Sequence, residues 1–423
     1  MQKNILIAAV AATLTSLPML SSAATLSAKG VEFDVFGKLQ AELSSIDIDP
    51  DPADPTQPDD AQLDVRDSGV QSRIGFDFKK DFGGGLAAIG RLEYTAVLGD
   101  GGSPSAREQW VGLKGGWGEF NAGHNQAPMK YIGGAAYDIF VATALQARGS
   151  GGAMWAPGSG LGASGFVGHS IKYRTPKGAP IAVHALIMPS DSLNSGEGAE
   201  IGGPGNGVDY NVGASWGGDL GEIVLGVSQD TANDAQEFAG YDDETVVRVA
   251  GKLNLGAFTL MAQYEDIGDA LSAGGVGANG TFDRKNACSG GSGFRGGEAD
   301  LYPAGAGQCN TAMNPGGDGE VYFAAVHWKL GKWLLVAQGG KTEADETAAR
   351  AGIVGPPAIP AIAAQIDREA TNGTFGVVYF FDKTTRIYGG YQTVSVEESR
   401  SDADSTKIEP DRESIALGIR LDF

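Results

Sequence analysis

The sequence predicts an all-β protein, an antiparallel barrel of about sixteen strands that crosses a membrane. Three observations predict it. Short segments alternate apolar and polar residues with period two. Charges stand in the middle of those segments as well as at their ends. Short glycine-rich turns alternate with long loops from one end of the chain to the other.

The first element is a leader. Lys3 precedes an apolar run from Ile5 to Leu20, and Ser22, Ala23 and Ala24 supply small residues for cleavage. This pattern predicts a secretory signal peptide over residues 1–24 and one mature domain over 25–423. The run is short for a membrane-anchor helix, which needs about 20 apolar residues. No later segment approaches one. The exported product is then either soluble or a closed barrel, because only helices and closed barrels satisfy their backbone in lipid.

The strands come next. Around Lys38, Phe33, Val35, Leu39 and Leu43 share one face, and Glu32, Asp34, Lys38, Gln40 and Glu42 share the other. Val70, Ile74, Phe76 and Phe78 oppose Gln71, Arg73, Gly75, Asp77 and Lys79. Leu86, Leu92, Tyr94 and Leu98 oppose Arg91, Glu93 and Thr95. Looser copies put Val247, Val249 and Leu253 against Arg248, Lys252 and Asn254, and Phe258, Leu260 and Tyr264 against Thr259, Gln263 and Glu265. The last strand is the cleanest. Ile415, Leu417, Ile419, Leu421 and Phe423 alternate with Ser414, Ala416, Gly418, Arg420 and Asp422.

A soluble sandwich would alternate in the same way. The mid-strand charges favour a barrel turned inside out, with lipid outside and a polar lumen. So do the aromatics Tyr94, Trp110, Trp117, Trp216, Trp328 and Trp333, which stand near strand ends like an interfacial girdle. Short turns at 81–85, 115–118, 175–178, 217–221, 255–256, 330–332 and 382–384 alternate with longer loops at 47–63, 99–104, 125–165, 190–207, 231–243, 268–319, 344–369 and 398–411. Loops of that length are improbable as plain connections in a compact soluble fold. An even strand number puts both chain ends on the periplasmic side.

Composition excludes several functions. The net charge of −21 opposes nucleic-acid binding, which requires a basic face. His124, His169, His184 and His327 stand in no zinc-binding or nucleophile motif, and His327, next to Trp328, has no evident serine partner, so the chain reads as no enzyme and as needing no cofactor. The two cysteines, Cys288 and Cys309, lie in a glycine-rich loop. In an oxidising compartment they read as one disulfide. In the first loop, Asp47, Asp49 and Asp51 have the spacing of a calcium loop. Pro52 and Pro58 stand where that motif needs Gly and Glu, so the segment reads first as a solvated, proline-stiffened loop and no metal site is assigned, with weak divalent binding there left open as a second reading.

The chain resembles the trimeric general porins of Gram-negative outer membranes, especially the neisserial and proteobacterial type. The motifs that carry the resemblance are SRIGF at 72–76, REQWVGLKGGWG at 107–118 running into FNAG at 120–123, and the terminal Phe423. The resemblance implies a third loop, about residues 125–165, that folds into the barrel and narrows it. It implies a homotrimer among outer-membrane lipid and lipopolysaccharide, inserted by the barrel-assembly machinery, which reads Phe423. It implies a ladder of basic residues facing acids on the third loop. Arg73 and Arg107 match by motif; Lys38 and Arg174 follow by position, and Arg91 joins them because its alternation places it on the lumen face. Asp138, in YDIF at 137–140, is the clearest acid of the third loop, which otherwise offers Lys130 and Arg148. The family's usual acidic cluster is missing there, so the ring favours anions locally, against a first loop crowded with aspartates.

The function expected from the resemblance is passive diffusion of ions and small hydrophilic solutes through a water-filled channel. Two other readings stand beside it: a substrate-selective channel of the same fold, for anions such as phosphate, and a surface adhesion or binding protein on a barrel scaffold.

Overall fold

The structure, a computed structural model, describes residues 25–48, 62–66, 72–96, 104, 106–133, 136–141, 143–147, 166–189, 208–232, 240, 242–269, 317–347, 367–399 and 411–423. The segment expected to be a signal peptide, both cysteines and all of the first acidic loop after Ile48 up to residue 61 lie outside the described residues.

The period-two segments form strands β1 (Thr25–Ala28), β2 (Val31–Ile48), β3 (Gln62–Arg66), β4 (Arg73–Gly83), β5 (Leu86–Thr95), β6 (Ala106–Gly115), β7 (Gly118–Gln126), β8 (Phe166–Arg174) and β9 (Ile181–Met188). They continue as β10 (Asp209–Gly218), β11 (Gly221–Asp230), β12 (Glu244–Leu255), β13 (Phe258–Gly268), β14 (Gly319–Leu330), β15 (Trp333–Ala344), β16 (Asp367–Phe380), β17 (Thr385–Ser399) and β18 (Asp411–Asp422). A single helical turn, α1 (Pro128–Tyr131), interrupts them after β7.

Apart from β3 and β4, each strand pairs antiparallel with the next. β9 pairs with β10 and β18 pairs with β2, so the sheet closes on itself. β3 and β4 follow one another along β2 and make one interrupted stave, and β1 only extends the start of β2. The result is a closed barrel of 16 staves. Where the second stave breaks, Ser72 of the SRIGF motif replaces the ladder. Its Oγ accepts from Gln40 N at 2.9 Å and donates to Gln40 O at 3.1 Å.

Burial runs opposite to that of a soluble protein. Lys38, Gln40, Glu42 and Ser44 are buried, and Arg248, Glu265 and Gln392 are fully buried. Val111, Ile223, Leu225, Val249 and Phe375 are exposed on the outer face. Lipid outside and charge inside account for this inversion, because Arg or Lys on the lipid face costs about 2–4 kcal/mol at mid-membrane. Among the described residues no helix is long and apolar enough to cross a membrane.

Trp117, Trp216, Trp328 and Trp333 are exposed at the short-turn rim, and Phe258 stacks on Trp328 with ring centroids 5.4 Å apart. Trp110 departs from this girdle. It is the register partner of Arg91 and shares its inner face, so it lines the lumen. The short turns use left-handed backbone, as at Gly83, Gly84 and Gly85. In the β16–β17 turn, Asp382 Oδ1 accepts from the backbone of Thr384 and Thr385, which holds its carboxyl below the usual value.

The C-terminus closes the seam. Gly37 N donates to Phe423 O at 2.8 Å, and Phe423 N donates to Gly37 O at 2.9 Å. The Phe423 ring lies over Gly37, where a Cβ would meet it at 2.6 Å.

Candidate pore constriction

The inner faces of β2, β4, β5, β6 and β8 carry the five basic residues expected at the constriction, Lys38, Arg73, Arg91, Arg107 and Arg174. Lys38 and Arg73 are direct cross-strand partners. Arg73 Nε lies 3.8 Å from Glu93 Oε1 on β5, and Arg107 on β6 forms an ion pair with the same oxygen. The Arg73 side chain is 26% exposed and that of Arg107 6%, so Arg73 presents the more open charge. The Arg107 guanidinium stands 4.8 Å from the Phe166 ring centroid.

Strict alternation would set Arg107 beside Gln109, Val111 and Leu113, with those side chains packed beneath the loop. The structure corrects this. Leu92 pairs with Gln109, whereas Tyr94 pairs with Ala106, so β6 holds one extra residue in a bulge. Arg107 and Glu108 are both buried, while Val111 and Leu113 are exposed outside. A bulge re-aims a side chain in this way.

Arg91 is held by Asp77, through Nε at 2.7 Å and Nη2 at 2.8 Å, and by Glu108 at 3.0 Å. Arg174 Nε donates to Glu119 at 2.7 Å. Lys172, which sequence reasoning passed over, is buried between them. Its Nζ lies 3.9 Å from Glu108 and donates to Gln126 O at 2.9 Å. Its place two residues before Arg174 on one strand is the signal that could have found it. Arg386 and Arg420, also passed over, are direct partners on β17 and β18. A cavity of about 470 Å³ opens beside these groups, lined by Arg91, Glu108, Trp110, Glu119, Tyr131 and Lys172 among others.

The described part of the third loop runs along the inner wall. Met129 N donates to Asn211 on β10 at 2.9 Å, and Arg248 Nη1 on β12 donates to Ile132 O at 2.9 Å. Thr374 on β16 donates to Leu145 O at 3.0 Å, and Gln392 on β17 to Gln146 O at 2.5 Å. Ala144 N donates to Glu42 on β2 at 2.8 Å. Met129, Ile132 and Tyr137 pack on Val224, Val246 and Phe323, and Phe140 and Leu145 pack on Val336, Val378 and Tyr388. The wall under the loop is therefore partly apolar, where alternation alone predicts a polar lumen face. Burial pushes the Tyr131 phenol above its usual pKa, and its Oη lies 2.9 Å from His184 Nδ1.

Asp138 corrects a second expectation. It is buried on the β15 side, across the barrel from β6. Its Oδ1 accepts from Phe140 N at 2.9 Å and Gln338 Nε2 at 2.7 Å, and its Oδ2 accepts from Ala147 N at 2.9 Å. The carboxylate shapes the loop and ties it to the wall; it does not face the arginines as an open charge.

A closed barrel with a lipid-facing outside, a charged lumen and a loop along its inner wall defines a membrane channel. A family model described as Gram-negative porin matches residues 8–399, and the chain belongs to that family of outer-membrane channels. None of the curated proteins matches it by sequence. Among solved structures the chain is similar to the anion-selective porin from Comamonas acidovorans, with TM-score 0.61 and 17% identity over 93% of this chain and 100% of that one. It is similar to the trimer form of OmpT of Vibrio cholerae, with TM-score 0.53 and 15% identity over 93% and 100%. It is also similar to OmpF of Salmonella typhi, with TM-score 0.55 and 14% identity over 95% and 100%.

Proposed function

We propose that the chain is a general porin of the neisserial and proteobacterial type, a homotrimer through which ions and small hydrophilic solutes diffuse passively. The observation that carries this reading is the charged arc from Lys38 to Arg174, standing in the same lumen as the wall-bound third loop. A barrel of this strand number encloses an aqueous channel, and the loop reduces its bore. Export by the signal peptide over 1–24, insertion by the barrel-assembly machinery through Phe423, contact with lipopolysaccharide, and the lack of enzymatic activity belong to the same reading. The trimer is supported by the trimer form of the Vibrio cholerae relative.

A second reading, a channel selective for anions such as phosphate, is favoured by one observation. Two like-charged pairs, Lys38 with Arg73 and Arg386 with Arg420, stand directly opposite on neighbouring strands. Like charges so placed repel; Asp422 Oδ1, which accepts from Arg420 Nε at 2.8 Å, offsets part of that repulsion, and a permeating anion would relieve the rest. The Comamonas neighbour is described as anion-selective.

Planar-bilayer recording tests both. Stepwise conductance supports a channel, and its absence would leave the adhesion reading. The reversal potential in a salt gradient gives the sign of selectivity. Saturable block by phosphate would replace the general porin with the selective one. Migration as a heat-modifiable trimer is expected, and a stable monomer in mild detergent would remove the assembly alone.

A further inference from the structure

We propose that two pairs of opposed glycines in the barrel wall set the bore of the channel by seating side chains of the third loop. Gly213 on β10 and Gly226 on β11 are direct cross-strand partners on the inner face. Gly376 on β16 and Gly390 on β17 are partners in the same way. Glycine weakens a strand interior, and it often marks a place where something approaches the backbone closely. Here the visitor is the loop. A Cβ on Gly213 would overlap Cδ1 of Ile132, and one on Gly226 would meet Cγ of Met129 at 3.1 Å. A Cβ on Gly376 would meet Cζ of Phe140 at 2.5 Å, and one on Gly390 would meet Cδ1 of Leu145 at 3.0 Å. Each pair is thus a dimple that takes two side chains from the loop, and the two dimples lie on different parts of the wall.

The loop lies against the wall only as deeply as these dimples allow. The wall cannot retreat from a larger residue, because β10, β11, β16 and β17 are hydrogen-bonded on both sides. A side chain at a dimple therefore displaces the loop toward the lumen. None of the four glycines belongs to the charged arc, so they govern size without altering its charge. The inference rests on the channel reading of the lumen, and the tests of the two are separable.

The four positions differ as probes. A Cβ on Gly390 would also strike Phe375 O at 2.6 Å, and Met129 is flexible enough to yield to one on Gly226. Gly213 is the cleanest, since the two nearest atoms its Cβ would meet both belong to Ile132 and the next, Leu225 O, lies 3.7 Å away. Gly376→Ala is the second probe. Gly373→Ala on the outer face is the control, where a Cβ would meet only Thr393 Oγ1 at 3.8 Å.

Single-channel conductance and the cut-off for neutral sugars are measured on the assembled full-length protein. Gly213→Ala and Gly376→Ala are expected to lower both, with Gly213→Val below Gly213→Ala and with ion selectivity little changed. Gly373→Ala is expected to match the parent. Adding Ile132→Ala to Gly213→Ala removes the clashing atoms and is expected to restore the parent conductance. Parent-like or raised conductance in both single variants would overturn the proposal, and so would a loss that persists in the double variant. If Gly213→Ala does not assemble, rescue of assembly by Ile132→Ala supports the seating. Failure to rescue would place the clash in the wall and overturn it. A parent that never conducts would instead remove the channel reading.

Discussion

Arg248, from the middle of β12, donates its Nη1 to the carbonyl of Ile132 at 2.9 Å and so caps the turn that follows α1. The same nitrogen donates to Met129 O, and Nε donates to Glu265 Oε1 at 2.8 Å. Both charged side chains are fully buried. A buried arginine that satisfies loop carbonyls is a latch between the wall and the loop. Arg248→Ala leaves Glu265 buried without this cation, which costs about 3–5 kcal/mol. A lower unfolding midpoint and a noisier open-channel current are expected. A parent-like trace and midpoint would show that the latch does not hold the loop.

The arc on β4 to β6 yields a prediction with two signs. Arg73→Ala is expected to shift the reversal potential toward cation preference, because it removes the more open charge from a narrow ring. Arg107→Ala is expected to shift it the same way, by releasing Glu93 from its ion pair. Glu93→Gln is expected to shift it toward anions. If the two arginine variants match the parent in conductance and selectivity, the assignment of these residues to the constriction is wrong, although the fold stands.

Deleting Phe423 removes both hydrogen bonds to Gly37 and the ring that covers it, at the seam of β18 and β2. Reduced levels of assembled protein at the cell surface are expected, with the ladder of the surviving strands retained after refolding in detergent. Wild-type surface levels in the deletion would count against this role.

Cys288 and Cys309 are expected to be joined in the exported protein. A loop of about 20 residues closed this way gains on the order of 3 kcal/mol of local order in the chain-entropy account. Two titratable thiols in unreduced protein would refute the bond. Equal barrel stability of the double serine variant is expected, since β13 ends at Gly268 and β14 begins at Gly319, with both cysteines between them in sequence.

Much of this molecule was legible from its residues. The alternation around Lys38 and Ser414, and around Arg91 from Leu86 to Thr95, placed each side chain on the face the structure gives it, because a strand has a strict period of two; Leu98 lies outside the described residues. The short turns and long loops led to the right number of staves. Arg107 was the place where parity misled, since a bulge breaks the period and leaves little trace in a single sequence. Trp110 misled for a related reason: its hydrophobicity suits a membrane rim as well as a lumen wall. Asp138 was found as the loop's acid, but its three donors come from Phe140, Ala147 and the distant Gln338. No local pattern announces such a partnership.

By itself, then, the sequence determined the barrel, its inside-out polarity and, wherever no bulge breaks the period, which strand residues face the lumen. These follow from local periodicity and from the requirement that every backbone group be satisfied in lipid. Only the tertiary structure decided how the lumen is partitioned. The course of the third loop depends on contacts between residues far apart in the chain, Arg248 with Ile132, Glu42 with Ala144 and Gly376 with Phe140 among them. Those contacts exist only once the barrel has closed and brought its distant strands around one lumen.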